Sequence, residues 1–217
     1  MVSRVVNEYL PSNTYVCATS VRGECIVVDP GLDTEAVLAK IEARGLRPVG
    51  VFCTHGHFDH IGSAHDVSER YGTRIYLHRD DRRIARSANF LLMACKIDRR
   101  IVVPTQVTEA FDGMPVRIGA DVLTFHHTPG HTPGSCMIEF RGALFSGDTI
   151  YRDGVGLVDF PGEDERMLRE SIARVWDSFD DDLTLYPGHG GSGRLGDVKE
   201  RNSALRSFIG LDEVAAA

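Results

Sequence analysis

Residues 53–60 read C-T-H-G-H-F-D-H, which places four strong metal-ligating side chains within six positions. The stretch directly follows residues 48–53, an apolar run with the length of a buried strand, and precedes a segment with helical spacing. In extended chain, side chains two positions apart point the same way, so His55 and His57 can bind one metal ion. Asp59 and His60, where the chain turns into the helix, can bind another.

Three further residues of ligand type stand at the ends of predicted strands. They are His131 in T-P-G-H-T-P-G, Asp148 in S-G-D-T and His189 in Y-P-G-H-G. Glycine and proline at these places let the backbone turn sharply and hold a side chain outward. Five histidines and two aspartates are too many ligands for one tetrahedral zinc ion. The count predicts two metal ions, about 3.5–4 Å apart, that share a bridge.

The remaining pattern predicts an α/β fold with two similar halves. β-branched runs at residues 2–9, 14–21 and 25–28 favour an antiparallel opening sheet, and Asp33 is the predicted N-cap of a helix that ends at Arg44. Further helices are predicted over 61–71, 163–179 and 195–209, and further strands over 48–53, 74–78, 116–127, 135–140, 143–146 and 183–186. We expect a single domain over residues 1–217, a four-layered αββα sandwich of two mixed sheets with helices on the outer faces.

The segment from residue 87 to residue 104 fits neither the helical nor the strand period. Apolar residues at 90–93 mix with Lys96, Arg99 and Arg100. One interpretation is a lid that faces the substrate. We favour the other, a short surface helix whose apolar face lies on the core.

Composition excludes several classes of function. With 24 basic and 31 acidic residues the chain has a net charge of −7, which disfavours nucleic acid as a partner. No apolar run approaches the roughly 18 residues of a membrane span, and the first residues do not form an export signal. The five cysteines are scattered and form no C-x-x-C pair, so we expect reduced thiols in a cytoplasmic protein. The oligomeric state stays open.

The order H-x-H-x-D-H, then a lone histidine, a lone aspartate and a lone histidine, resembles the metallo-β-lactamase superfamily. The resemblance runs from Thr14 through V-D-P-G at residues 28–31 to His189. It implies two zinc ions, although these ligands also suit iron and manganese. It also implies the ligand sets: His55, His57 and His131 for the first metal, Asp59, His60 and His189 for the second, and Asp148 as the bridge.

Within that superfamily, H-T-P-G-H-T-P-G-S from His127 and S-G-D-T-I-Y from Ser146 are similar to glyoxalase II and its short relatives, which hydrolyse thioesters. His60 stands where common secreted zinc β-lactamases carry arginine, which disfavours antibiotic hydrolysis. His57 stands where the di-iron flavoprotein branch has glutamate. Glyoxalase II relatives carry a cation in a G-R-x-D or G-K-type loop, whereas this chain has Leu157 there. We therefore expect a small-molecule acyl substrate that is less charged than a glutathione thioester.

The resemblance implies cleavage of a thioester, ester or lactone by a hydroxide that bridges the metals. Asp59 would orient this hydroxide and take up its proton. Tyr151 would donate to the oxyanion or contact the substrate, with simple packing as an equal alternative. Arg152 could replace the missing loop cation, although surface exposure is the favoured interpretation.

Three other functions are weighed against hydrolysis at this point. A persulfide dioxygenase shares the fold and uses one iron at His55, His131 and Asp148, but Leu157 replaces the arginine typical of that class. An inactive metal-binding module is disfavoured because all seven ligands are present, and a nuclease is disfavoured by the net charge.

The four other histidines are predicted to be structural. Of these, His78 and His127 are also candidate hydrogen-bond partners of the ligands, whereas His65 and His126 are not.

Overall fold

The computed structural model describes residues 1–158, 160 and 162–211. Asp159 and Pro161 of the loop at 156–162, and residues 212–217 of the predicted domain, lie outside the described residues. In the described part of the chain no helix is both long and apolar enough to cross a membrane.

The first half of the chain forms a mixed sheet in sequential order. Its strands β1 to β6 pair with their neighbours along the chain, the first two pairs antiparallel and the next three parallel. The sixth strand was not predicted from the sequence. The strands are β1 Val2–Val6, β2 Asn13–Ala18, β3 Glu24–Val28, β4 Arg47–Phe52, β5 Ile75–His78 and β6 Thr108–Ala110.

The second half forms another mixed sheet, in which β13 lies parallel to β10 and the neighbouring pairs are antiparallel. The strand order is β14-β13-β10-β9-β8-β7, and β11 pairs with β12 as a separate hairpin. The strands are β7 Pro115–Ile118, β8 Asp121–His127, β9 Cys136–Phe140, β10 Ala143–Gly147, β11 Ile150–Tyr151, β12 Gly154–Val155, β13 Thr184–Pro187 and β14 Gly193–Arg194.

Helices lie outside both sheets, which confirms the αββα sandwich. One buried cluster joins the first sheet to α1, α3, α4 and α5, and another joins the second sheet to α6, α7 and α8. The short α2 begins inside the histidine cluster. The helices are α1 Thr34–Ala43, α2 Phe58–Ile61, α3 Ala64–Tyr71, α4 Arg82–Arg86, α5 Ala88–Ala94, α6 Glu165–Val175, α7 Leu195–Arg201 and α8 Ser203–Phe208, with a 3-10 turn at Arg79–Asp81.

Strand periodicity explains the layers. In β3 the side chains of Cys25 and Val27 join the cluster under the helices, whereas Ile26 and Val28 join the cluster between the sheets. Successive strand residues point to opposite faces, so a strand buried on both sides is apolar at every position. Aromatic rings fill much of the space between the sheets, where Phe52 stacks on Tyr76 at 4.7 Å.

Three predicted elements are divided in the structure. The strand predicted over 116–127 is the β7–β8 hairpin, because Gly119 takes φ +60° and reverses the chain. The helix predicted over 61–71 is split at Ser63 into α2 and α3. The closing helix predicted over 195–209 breaks at Asn202, whose side chain accepts from the Leu205 amide and starts α8.

Asp33 stands at the N-cap position of α1, but its side chain does not cap the helix. Its carboxylate accepts instead from the Glu8 amide and from Arg99. In the segment 87–104, α5 buries Leu92 in the core and leaves Phe90 exposed, which agrees with the favoured surface helix. Cys95, the residue directly after α5, faces the cavity beside the predicted ligands.

The ends of four strands come together at one edge of the sandwich. The loops after β4, β8, β10 and β13 carry the predicted ligands, and β8, β10 and β13 run in the same direction within the second sheet. Several hydrogen bonds tie the sheets together at this edge; among them, Cys136 N donates to Thr54 O at 2.8 Å, and Tyr15 Oη donates to Pro187 O at 2.6 Å. The architecture therefore places residues far apart in sequence within one small volume.

Candidate metal centre

Three imidazole nitrogens converge behind β4 and β8. His57 Nδ1 lies 3.1 Å from His55 Nε2 and 3.0 Å from His131 Nε2, and all three residues are buried. Ligands bound to one tetrahedral zinc at 2.0–2.1 Å are separated by about 3.3 Å. The three nitrogens therefore have nearly the spacing that one ion requires.

A second group of ligand atoms lies beside the first. Asp59 Oδ2 is 3.5 Å from His60 Nε2 and 3.5 Å from His189 Nε2. His60 is fully buried and Asp59 nearly so, whereas His189 reaches toward solvent. This second group has two nitrogens and one carboxylate oxygen, a set that suits zinc, iron or manganese.

Asp148 lies between the two groups. Its Oδ2 is 3.5 Å from His131 Nε2 in the first group and 3.3 Å from His189 Nε2 in the second, and its Oδ1 is 3.5 Å from His60 Nε2. A carboxylate in this position can bind one ion with each oxygen. The structure thus brings together all seven side chains that the sequence singled out.

Unpaired polar atoms indicate that this centre holds cations. His60 Nε2 and Asp148 Oδ1 are buried without a hydrogen-bond partner. Buried polar groups without partners are costly, and a metal ion satisfies both atoms at once. The ligand atoms of each of the two groups lie within 4.8 Å of one another, and so do those of a third set formed by His55, His60 and Asp148. The residues therefore fit two divalent ions.

The outward nitrogens of three histidines are held by hydrogen bonds. His55 Nδ1 lies 3.1 Å from Thr54 Oγ1, His131 Nδ1 lies 2.9 Å from Gly156 O, and His189 Nδ1 lies 3.2 Å from Pro11 O. A carbonyl acceptor requires a proton on Nδ1 and leaves Nε2 free to bind a metal. The backbone therefore sets the tautomers of His131 and His189.

Asp29 orients the fourth histidine and was assigned no role from the sequence. Its Oδ2 lies 3.1 Å from His60 Nδ1, and it accepts 2.7 Å bonds from the amide and the hydroxyl of Thr54. The backbone of Asp29 has φ +49°, an uncommon conformation for a residue other than glycine. The available signal was an aspartate that ends a buried strand immediately before Pro30-Gly31.

Replacing Asp29 by asparagine is expected to weaken binding at the second group by about 10–100-fold, the usual effect of losing an outer carboxylate partner. Asparagine keeps an acceptor for Thr54 but removes the charge that orients His60. Competition with a chromogenic chelator measures both dissociation constants. Two dissociation constants that both equal the wild-type values would contradict this role of Asp29.

Glu163 was also missed by the sequence analysis. Its Oε1 lies 3.2 Å from His131 Nδ1, and both carboxylate oxygens accept from the Val158 amide at 3.0 and 3.2 Å. Glu163 lies two positions before α6, where a surface glutamate offers no sequence signal for such a contact. Glu163 thereby connects a ligand of the first group to the loop that contains Val158.

The charges of the centre are strongly coupled. Burial alone would lower the pKa of His60, but the carboxylates of Asp148, Asp59 and Asp29 raise it to about 9. Burial likewise opposes protonation of His189, and its hydrogen bonds to Asp148 and Asp59 raise the pKa to about 11. Without metal, protons on these two histidines thus balance the two carboxylates. Burial and neighbouring histidines lower the pKa of His57 to about 3, which keeps that ligand neutral.

The metal-free protein is expected to lose stability as pH rises through about 9. A histidine with a folded-state pKa above its unfolded value of about 6.5 stabilises the fold fully below that value, and this contribution disappears as pH passes the folded pKa. His60 and His189 both meet this condition. Urea unfolding of chelator-treated protein between pH 6 and 10 tests it, with metal-loaded protein as control. Equal pH dependence of the two forms would contradict the expectation.

Tyr151 lies at the same centre. Its ring meets the ring of His189 edge-on at 5.9 Å, and the charge of Asp148 acts on its hydroxyl. Burial, together with the charge of Asp148, raises the pKa of Tyr151 far above its usual value, so the phenol stays protonated and can donate. The position agrees with a catalytic role for Tyr151, which stays a prediction.

A cavity of about 400 Å³ reaches five of the seven ligands. Leu157 is not part of its described wall, because that side chain packs against the outer cluster of the second sheet. The inference drawn from Leu157 about the substrate therefore loses its structural basis. The same loop instead contributes Val158 and Phe160 to the wall. Cys95, the residue directly after α5, also lines the cavity.

The remaining candidates lie apart from the ligands. His78 stacks on His127 at 4.1 Å, and His127 Nε2 lies 2.9 Å from Pro133 O, so these rings contact each other and the backbone. Arg152 is half exposed and pairs with Asp153 at 2.8 Å, as the favoured interpretation expected. Cys53 is buried in the core under the helices.

Comparison with known proteins gives a consistent result. The sequence profile of the metallo-beta-lactamase superfamily matches residues 8–189. A hydroxyacylglutathione hydrolase of Anaeromyxobacter dehalogenans is 34% identical over 176 residues, which are 81% of this chain and 60% of that protein. The crystal structure of the BLEG-1 B3 metallo-β-lactamase has a TM-score of 0.83 and 27% identity, covering 94% of this chain and 99% of that one.

A second solved structure bears on the metal. The crystal structure of TTHA1623 in a di-iron-bound form has a TM-score of 0.79 and 30% identity, and the match covers 92% of this chain and 98% of that chain. A protein similar to this one over nearly its whole length therefore holds two metal ions.

Proposed function

This chain belongs to the metallo-β-lactamase superfamily, and we propose that it is a dinuclear metal-dependent hydrolase of a thioester, ester or lactone. The observation that carries the proposal is the pair of ligand groups joined by Asp148 at the base of an open cavity. A relative named hydroxyacylglutathione hydrolase makes thioesters the first substrates to test.

His55, His57 and His131 would hold one ion, Asp59, His60 and His189 the other, and Asp148 both. When bound, two such ions lower the pKa of a shared water toward 7 and polarise the substrate carbonyl. Asp59 lines the cavity and carries a carboxylate that can accept a proton from the attacking water. Tyr151 donates a hydrogen bond from its neutral phenol to the developing oxyanion.

Elemental analysis and a substrate panel test this function. We expect about two metal ions per chain and hydrolysis of thioesters, esters or lactones by the metal-loaded protein, lost on chelation and restored by zinc, iron or manganese. The panel includes a glutathione thioester and, because a B3 β-lactamase shares the fold, one β-lactam. A single iron with oxygen uptake on glutathione persulfide would overturn the proposal in favour of a dioxygenase.

Replacing Tyr151 by phenylalanine is expected to lower kcat about 10²–10³-fold, the usual cost of one oxyanion donor. The metal content is expected to stay at the wild-type value, because Tyr151 belongs to neither ligand group. Steady-state kinetics on the best substrate of the panel measures the effect. An unchanged kcat would show that Tyr151 only packs against His189.

A further inference from the structure

We propose that the site takes an apolar acyl group and has no subsite for an anionic leaving group. This inference rests on the proposed function and adds its substrate class. It follows from the residues around the ligands, which form the wall of the cavity: Leu10, Phe58, Cys95, Tyr151, Val158 and Phe160.

The wall is apolar where it meets the ligands. The ring of Phe160 meets the ring of His57 edge-on at 4.9 Å, and Phe58, at the start of α2, is buried between His57 and Asp59 in the chain. A substrate whose carbonyl reaches the ligands must therefore place its neighbouring atoms against aromatic carbon. Carbon in this position favours an alkyl or aryl group over a hydroxylated or charged one.

The outer part of the wall exposes apolar side chains to water. Leu10 is 44% exposed and Val158 is 61% exposed, so a bound acyl chain would remove apolar surface of both from solvent. Leu10 also has φ +44°, an uncommon conformation for a leucine. The adjacent carbonyl of Pro11 holds His189, so the same loop turn orients a ligand and supplies the wall.

The described part of this wall carries no cationic side chain. Among the described residues that line the cavity none is lysine or arginine. Arg152, the candidate replacement for the loop cation, pairs with Asp153 and lies against Gly191. Carboxylates of a leaving group such as glutathione would find no partner, and unpaired charge at an apolar wall is costly.

A chain-length series tests the substrate class. Acetyl to octanoyl thioesters of N-acetylcysteamine carry an uncharged leaving group, and glutathione thioesters of the same acyl groups carry an anionic one. We expect kcat/KM of the metal-loaded protein to rise about fourfold per methylene until the cavity is filled. We also expect each N-acetylcysteamine ester to exceed its glutathione counterpart.

The outcomes separate the two proposals. Hydrolysis that is flat or falling with chain length, or that favours glutathione, overturns the inference and leaves the hydrolase intact. No hydrolysis of any thioester, ester or lactone by protein with two bound metals overturns the proposed function itself.

Two lysine variants place the effect in the cavity. Val158→Lys puts a charge on the wall and is expected to lower kcat/KM about tenfold for the octanoyl ester and by a smaller factor for the acetyl ester, which covers less of the wall. Val122→Lys makes the same change at a 44% exposed valine of β8 outside the cavity and is expected to behave as wild type. Equal chain-length series for Val158→Lys and wild type would contradict the proposal.

Cys95 provides a readout that does not depend on turnover. It is exposed and lines the cavity, whereas the other four cysteines are buried. Octanoate is expected to slow alkylation of Cys95 by N-ethylmaleimide severalfold, whereas acetate at the same concentration is not. Because both acids carry the same carboxylate, the difference reports the alkyl chain alone. Equal protection by the two acids would count against an apolar acyl subsite.

Discussion

Replacing Gly188 by alanine is expected to lower kcat/KM at least about 100-fold and to cost the protein its bound metal. A Cβ at this position would lie 1.9 Å from Asp148 Oδ1 and 2.8 Å from His60 Cε1. Asp148 must therefore move, and with it the carboxylate that joins the two ligand groups. Elemental analysis of the purified variant and its activity on the preferred substrate measure both effects.

Gly193→Ala is the matched control. There a Cβ would meet Arg152 and Val198 at an ordinary 3.5 Å, on the same stretch of chain beyond β13. We expect wild-type metal content and activity. If Gly188→Ala also keeps two metal ions, Asp148 does not bridge them in the way that its oxygen positions indicate.

Asp59→Asn is expected to lower kcat about 10²–10⁴-fold, the range for loss of a general base. Its carboxylate belongs to the second ligand group and also lines the cavity, where it can accept a proton from an attacking water. Asparagine keeps an oxygen that can bind metal but accepts a proton poorly. The activity is compared at saturating metal, so that loss of affinity and loss of catalysis are separated.

Asp98→Asn, which removes the same charge from an exposed position, serves as control and is expected to change kcat little. Full recovery of Asp59→Asn at high metal concentration would assign Asp59 to metal binding alone. A defect that persists at full occupancy supports its role as base.

The metal ligands could be predicted best where they lie close together in the sequence. H-x-H-x-D-H required no tertiary information, since a strand end followed by a helix start already brings these side chains together. The lone ligands were found because each stands beside glycine or proline at a strand end. Gly188 shows the limit of this signal. The sequence around Gly188 predicted a sharp turn, but only the tertiary structure shows that Asp148 occupies the space where a side chain of residue 188 would lie.

Element boundaries were predicted less well, for identifiable reasons. The hairpin at Gly119 and the break at Asn202 depend on one residue each, and the periodicity on either side continues almost unchanged. β6 was missed because three residues at a sheet edge are too few to show a period. Asp33 follows the N-cap pattern, yet Arg99 and the Glu8 amide, both distant in sequence, take its carboxylate.

The sequence by itself determined the layered α/β fold, the seven candidate ligands and the expectation of two ions, because these depend on local period and on side-chain type. Tertiary structure alone decided which groups surround them. Asp29 reaches His60 across 31 positions, and Glu163 reaches His131 from the loop before α6; no local pattern encodes these contacts. It also decided the wall of the cavity, where Leu157 turns away and Val158 faces inward, because the direction of a loop side chain depends on what the loop packs against.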